Sequence, residues 1–329
     1  MVRHENGFSL VELMVSLLIG LLLAIGAMNI FISNAQTYRT VETLGRMQEK
    51  VRIAFELLAR EIRSAGGNLC GVSSSRVANV LNNSSSYWWA DWASSPIKGY
   101  SGDQEGPKSF GTSTASRIQG TEAITILSGS LSMDVMITDH NPTSAQFKVN
   151  TTSHGISDGD ILMACDSSGA AIFQVTQASS TNVTIVHNIG AGTPGNCSKG
   201  LGFPTVCTTN GTSKTFEGGG MLTKLTAVHW YIGKNANGGK SLYRMSTIGN
   251  TSPSNNEIAA NVANLQFGYL LDNGTDYVSA SNVTDWKTVR AVRFTLTVVS
   301  DDRVDITQTK KQTVTLQRTY TAVVALRSS

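Results

Sequence analysis

Gly7-Phe8-Ser9-Leu10-Val11-Glu12 opens the stretch that decides the fold of this chain. A short leader carrying Arg3, His4 and Glu5 ends at Gly7, and an almost unbroken apolar run follows. Glu12 is the one carboxylate in that run, set near its mouth. Placing an ionised carboxylate in lipid costs several kcal/mol unless it finds a partner. A chain that puts one at the mouth of its membrane segment has a use for it.

Leader length, Gly7, the aromatic Phe8, Glu12 and the apolar run stand together in one register. That register resembles the class III signal of type IV prepilins and related pseudopilins. The resemblance implies that a dedicated prepilin peptidase cuts between Gly7 and Phe8 and then N-methylates Phe8. Gly7 suits this role because it has no side chain to keep the enzyme from the scissile peptide. The resemblance also implies that Glu12 pairs with the Phe8 amine of an adjacent subunit, which would set the register of assembly.

The apolar segment runs from Leu13 to Ile32, with Ser16 and Asn29 its main polar interruptions. As a helix it spans ~30 Å, the hydrocarbon thickness of a bilayer. A secretory signal has a shorter apolar core and is cut after it. Here the cut precedes the run, so the helix stays on the mature protein. Arg3 and the free amino terminus favour a cytoplasmic leader and a head on the other side.

The helical pattern continues past the membrane edge. Val41, Leu44, Met47, Val51, Phe55, Leu58, Ile62 and Ala65 recur every three or four residues, as an apolar stripe does. Charged residues lie between them, and Glu42 to Arg46 and Glu56 to Arg60 form i,i+4 pairs. The first proline is Pro96, and Gly66-Gly67 supplies a C-terminal stop. A continuous helix from Phe8 to Ala65 would be roughly 85 Å long. A signal anchor alone explains neither Glu12 nor this seamless continuation.

The chain has 329 residues, 40% hydrophobic and 15% charged, which reads as folded. With 26 basic and 23 acidic residues, the net charge of +3 is too small a bias to point to nucleic acid. After Gly67 the pattern turns to short apolar or alternating runs bounded by Gly, Ser, Asn and Asp, expected to be strands. They cover 123–127, 145–149, 160–163, 171–176, 182–186, 227–232, 241–245, 262–270, 289–299 and 311–324. Residues 82–118 read as a structured loop region in which Tyr87-Trp88-Trp89 and Trp92 are a packed core edge or a contact patch, with packing the default. The expected class is α+β. It divides into a leader over 1–7, a stem helix over 8–66 crossing the membrane at about 13–32, and a β-rich head over 67–329. A small β subdomain is expected over 120–190, and a sheet over 221–329 that packs on the stem.

Cys70, Cys165, Cys197 and Cys207 make an even count, which in an exported chain favours disulfides with three possible connectivities. Cys197 and Cys207 are close, with Gly200, Gly202 and Pro204 between them, and read as a loop staple. That leaves Cys70 for Cys165. No CxxC occurs, so neither redox nor zinc chemistry is indicated.

Beyond the N-terminus, the chain resembles the PilW family of type IV pilus assembly proteins, minor pilins related to the J-type pseudopilins of type II secretion. The stretches that carry the likeness include Leu44 to Glu49, Phe55 to Gly66, Gly159 to Leu162 and Ile172 to Thr176. Tyr231 to Gly233, Ser241 to Arg244, Asn264 to Tyr269, and Trp286 with Val289 to Arg293 continue it. Asn29 stands where major pilins carry a helix-melting proline, which fits a minor pilin or a pseudopilin. The resemblance implies a structural subunit that primes pilus assembly and sits at or near the tip, with twitching motility and adhesion as processes it serves. Its implied partners are the prepilin peptidase, other minor pilins and the major pilin, the inner-membrane assembly platform and a large tip-adhesin protein. It implies a single-pass inner-membrane precursor with a periplasmic head, and a place in the surface pilus after assembly. The runner-up is a J-type minor pseudopilin. A reading of another class is a DNA- or surface-binding module displayed on the pilus.

No enzyme, cofactor or metal site emerges. His4, His140, His154, His187 and His229 are dispersed without ligand spacing, and neither GxSxG nor a P-loop occurs. Gly218-Gly219-Gly220 reads as a flexible turn and Asp272-Asn273-Gly274-Thr275-Asp276 as an Asn-Gly turn rather than a calcium loop. Asp301-Asp302 with Asp305 reads as a solvated turn.

Overall fold

A computed structural model describes residues 9–67, 70, 77–92, 95–129, 135–190, 192–249, 252–305 and 313–326. The apolar run and the amphipathic stretch behind it form one helix, α1 (Leu10–Ser64), which passes through Asn29 without a break. It ends where the pattern places the stop. Gly66 adopts φ 69°, a left-handed conformation that costs glycine little, and its N–H reaches the Leu127 carbonyl at 2.9 Å. The buried stripe is narrower than the sequence suggests: Met47, Val51, Ala54, Leu58, Ile62 and Ala65 are buried, but Val41 is 63% exposed. Arg46 pairs with Glu42 at 3.3 Å, whereas Glu56 is taken by Arg52, one turn earlier, at 2.9 Å.

Sixteen strands are found among the described residues. In chain order they are β1 (Val77–Asn79), β2 (Ile97–Tyr100), β3 (Ala123–Gly129), β4 (Val135–Asn141), β5 (Gln146–Val149), β6 (Ile161–Asp166), β7 (Gly169–Gln174) and β8 (Gln177–Ala178). There follow β9 (Thr184–Val186), β10 (Met221–Lys234), β11 (Lys240–Ile248), β12 (Ser254–Ala260), β13 (Val262–Leu271), β14 (Tyr277–Val278), β15 (Val289–Asp305) and β16 (Thr313–Ala325). The fold is therefore α+β, a long apolar N-terminal helix with a β-rich head.

Strand β10 organises the larger sheet by changing partners along its length. Met221 to Lys224 pair with β6, and Leu225 to Tyr231 pair with β3. On its other side Met221 and Leu222 meet β4, and Thr226 to Lys234 run against β11, which pairs with β12. Strands from residues 120–190 thus share one hydrogen-bonded network with β10 to β12. The second sheet has the order β14-β13-β15-β16.

The described residues of Met1–Glu49 and Val299–Gln317 form one compact unit, and Lys50–Val298 with Arg318–Ser329 form the other. In the first unit the apolar segment of α1 is exposed, and the Leu316 N–H donates to Ser300 Oγ at 2.9 Å. Asp301, Asp302 and Asp305 lie on β15, not in a turn. In the second unit, Phe147, Phe173 and Phe216 fill a core with Ile137, Leu162 and Leu222. A neighbouring core gathers Trp92, Leu127, Ile172 and Leu225. The disulfides are Cys70–Cys165, linking the chain just after α1 to β6, and Cys197–Cys207, closing a loop. Lys311, the start of the last expected strand, lies outside the described residues.

Candidate functional site

Gly7 and Phe8 lie outside the described residues, so the site begins at Ser9. Its Oγ accepts the Glu12 N–H at 3.2 Å, and its carbonyl accepts from the N–H groups of Glu12 and Leu13 at 3.1 and 3.2 Å. This is N-capping: Ser9 satisfies donors that the first turn leaves without helical partners. The Ser-x-x-Glu spacing is the signal by which sequence reasoning would have found Ser9. Glu12 sits in the first turn, where the helix dipole favours an acid. Among the described residues its carboxylate has no hydrogen-bond or ion-pair partner.

Behind Glu12 the helix is apolar all round. Between Leu10 and Phe31 every large apolar side chain is 51–77% exposed. Such a surface is unfavourable in water and calls for lipid or for other helices. By length and composition the segment can cross a membrane. Ser16 does not disturb it, because its hydroxyl donates to the Leu13 carbonyl at 3.0 Å and stays satisfied within the helix.

The last turns of α1 are held by the head. Glu61 Oε2 accepts Trp230 Nε1–H at 2.6 Å, and Oε1 accepts Arg244 Nε–H at 2.9 Å, with Nη2 of the same guanidinium at 2.8 Å. Trp230 belongs to β10 and Arg244 to β11, paired opposite each other. One carboxylate therefore fastens the helix to two neighbouring strands. Nearly two turns earlier, Phe55 packs on Phe294 of β15 with ring centroids 4.8 Å apart, and on Tyr320 of β16 at 6.5 Å. The helix between Val51 and Ser64 thus touches both sheets. In the sequence Glu61 passes for a surface charge, yet it falls in the register 54-58-61-65 of the buried stripe.

The dispersed histidines are partly brought together. Phe216 N–H donates to His140 Nδ1 at 3.1 Å, which puts the His140 proton on Nε2, facing His187 Nε2 at 3.1 Å. His187 then carries its proton on Nδ1. Burial holds His140 down at about 4 and His187 at about 3, the neighbouring His140 adding to the latter. His229 is held at about 3 by burial and then by Arg117, and its Nδ1 lies 2.9 Å from Thr125 Oγ1. These are neutral core side chains. Among the described residues no group of three or more His, Cys, Asp or Glu is placed to hold a metal ion. Gly219 turns with φ 91° and donates to the Ile137 carbonyl at 2.8 Å, and Asp272 opens the turn after β13 and pairs with Arg290.

Residues 229–327 match the family described as type IV pilus-assembly protein W, and residues 2–28 match the prokaryotic N-terminal methylation motif. The first match covers the anchoring residues Trp230 and Arg244, the second Gly7, Phe8 and Glu12. Together they are consistent with a PilW-family pilin. No curated protein and no solved structure matches the chain.

Proposed function

We propose that this chain is a minor pilin that primes type IV pilus assembly and is incorporated at or near the pilus tip. The observation that carries the reading is the continuity of α1. A methylation motif over residues 2–28 runs without interruption into a helix that is exposed and apolar at one end and fastened to a β-rich head at the other. The match to type IV pilus-assembly protein W over residues 229–327 favours a pilus over a secretion machine.

In this reading residues 1–7 are a leader removed between Gly7 and Phe8, and Phe8 is N-methylated by the same peptidase. Residues 8–66 are the stem, crossing the inner membrane at about 13–32, and residues 67–329 are the head, periplasmic before assembly. Within that head the strands of residues 120–190 are a small subdomain built onto β10. The apolar face meets lipid first and neighbouring stems afterwards, so extraction never exposes it to water. Glu12 pairs with the Phe8 amine of the next subunit, a contact favoured chiefly because an unpaired carboxylate in a low-dielectric bundle is so costly. Partners are the major pilin, other minor pilins, the inner-membrane platform and a large tip protein. The role is structural and not catalytic.

Deleting the gene and scoring surface pili, with and without a block on retraction, tests the reading. Few pili in the plain deletion, restored when retraction is blocked, is the priming result. Unchanged piliation in both backgrounds would sink it.

A further inference from the structure

The aromatic cluster that the sequence leaves open, Tyr87-Trp88-Trp89 with Trp92, divides in the structure. Trp92 is buried in the core, while Trp88 is half-buried and forms one wall of a cleft of about 410 Å³. Trp286 forms another wall and Tyr100 lines the cleft between β2 and the loops above it. Asp91, Lys98 and the exposed Glu105 also line it, with Ser95 and Thr125. All of these residues belong to the second unit.

The walls are held from behind. Ser95 Oγ donates to the Trp286 carbonyl at 3.1 Å, and the Trp286 ring stands edge-on to Tyr269 at 4.8 Å. Gly99 makes this possible, because a Cβ there would strike the Tyr269 hydroxyl and the Trp286 ring. The loop bearing Glu105 is tied down by Arg117, whose guanidinium donates to the carbonyls of Gln104, Ser101 and Thr121 at 2.9, 2.8 and 2.6 Å. The cleft is therefore formed in advance, so little ordering entropy is lost when something enters it.

Its chemistry narrows the occupant. An apolar ligand would strip water from Lys98 and Glu105 without replacing it. With Arg117 behind the Glu105 loop and Lys98 in the cleft, the acidic and basic groups are near balance. Neither an anion nor a compact cation is therefore favoured: an anion would meet Glu105, and a cation would meet the Lys98 ammonium, which lies 5.8 Å from the Tyr100 ring centroid. A neutral molecule with flat C–H faces and a rim of hydroxyls suits the rings and the charged groups at the mouth together. The half-buried rings of Trp88 and Trp286 pack on its faces, Glu105 accepts hydrogen bonds from its hydroxyls and Lys98 donates to its oxygens. We infer that the cleft between Trp88, Tyr100 and Trp286 is a binding site for a neutral saccharide. A volume at the small end of ligand sites holds about one or two pyranose rings. This surface-binding activity is independent of the pilin reading, because the cleft lies wholly within the head and its test does not score pili.

The test uses the full chain in a detergent without a sugar headgroup, titrated calorimetrically and by tryptophan fluorescence. The probes are plain hexose oligomers, N-acetylhexosamine oligomers and uronic-acid oligomers. Saturable binding of either neutral series, at ~1 mM or tighter, with none of the uronic series, is the expected result. The neutral series that binds identifies the class of glycan. Trp88→Ala and Glu105→Gln should each weaken binding at least ~10-fold. Glu105 is exposed, so its variant keeps the test alive should Trp88→Ala fail to fold. No neutral binding up to ~10 mM, preference for the uronic series, or binding unchanged in Glu105→Gln and in any folded Trp88→Ala overturns the inference.

Discussion

Arg244 and Glu61 meet at 2.8 Å across 183 residues of sequence, and Trp230 joins them on the other carboxylate oxygen at 2.6 Å. With side-chain exposures of 20% for Arg244 and 12% for Glu61, the pair is largely withdrawn from water, and removing one member strands the other. Glu61→Ala should cost about 2–4 kcal/mol in chemical unfolding of the head. Glu61→Gln keeps an acceptor for Trp230 but loses the charge, and should cost less. Urea midpoints of the three proteins check this order.

The disulfides should differ in worth. Cys70–Cys165 closes 95 residues and Cys197–Cys207 closes 10. Constraining the unfolded chain scales with loop length, which gives about 4–5 kcal/mol for the first and about 3 for the second. The double variant Cys70→Ser/Cys165→Ser should therefore unfold at lower urea than Cys197→Ser/Cys207→Ser.

The buried histidines make stability depend on pH. Folded His140 titrates at about 4, and His187 and His229 at about 3, all below the unfolded value of ~6.5. In that window the unfolded chain binds more protons than the folded one, so stability rises with pH. Their contribution is complete above pH ~6.5 and is lost as pH falls through the folded values. Asp166 acts in the same sense at lower pH. Burial pushes its carboxyl up, but hydrogen bonds from Ser168 and Lys214 outweigh that and hold it below the usual range. Urea midpoints should be flat between pH ~7 and ~8 and fall steadily below ~6.5.

At the N-terminus, Gly7→Ala should slow leader removal, read as retained precursor by intact mass. Glu12→Ala should leave the cut intact and lower the amount of this chain recovered in sheared pili. Normal recovery of Glu12→Ala would remove the pairing role assigned to Glu12.

What the sequence reveals here follows from the range of the interactions. Helix α1 is written in local periodicity and ends at a glycine that accepts φ 69°, so it can be read residue by residue. Val41 departs from the stripe because periodicity shows which face a residue takes, not whether anything covers it. Strands such as β3, β6, β10 and β13 carry apolar runs and are readable. β12, Ser254–Ala260, is polar and mostly exposed, pairs among the described residues only with β11 and gives no such run. β4 is broken by a register shift between Ile137 and Asp139, which spoils its alternation. β15 keeps its extended backbone through Asp301 and Asp302, where charge alone suggests a turn. At the N-terminus the methylation motif over residues 2–28 is legible because its spacing is the signal. The Glu61 anchor, the His140–His187 contact and the saccharide cleft join residues far apart in the chain, and no local pattern announces them.

The most direct test of the central claim is mass spectrometry of the chain's N-terminal peptide in pili purified from cells with an active prepilin peptidase. A peptide that begins at Phe8 and is one methyl group heavier than its sequence, present in small amount beside the major subunit, is the result predicted. A chain absent from the pili and still carrying residues 1–7 in the membrane fraction would contradict it.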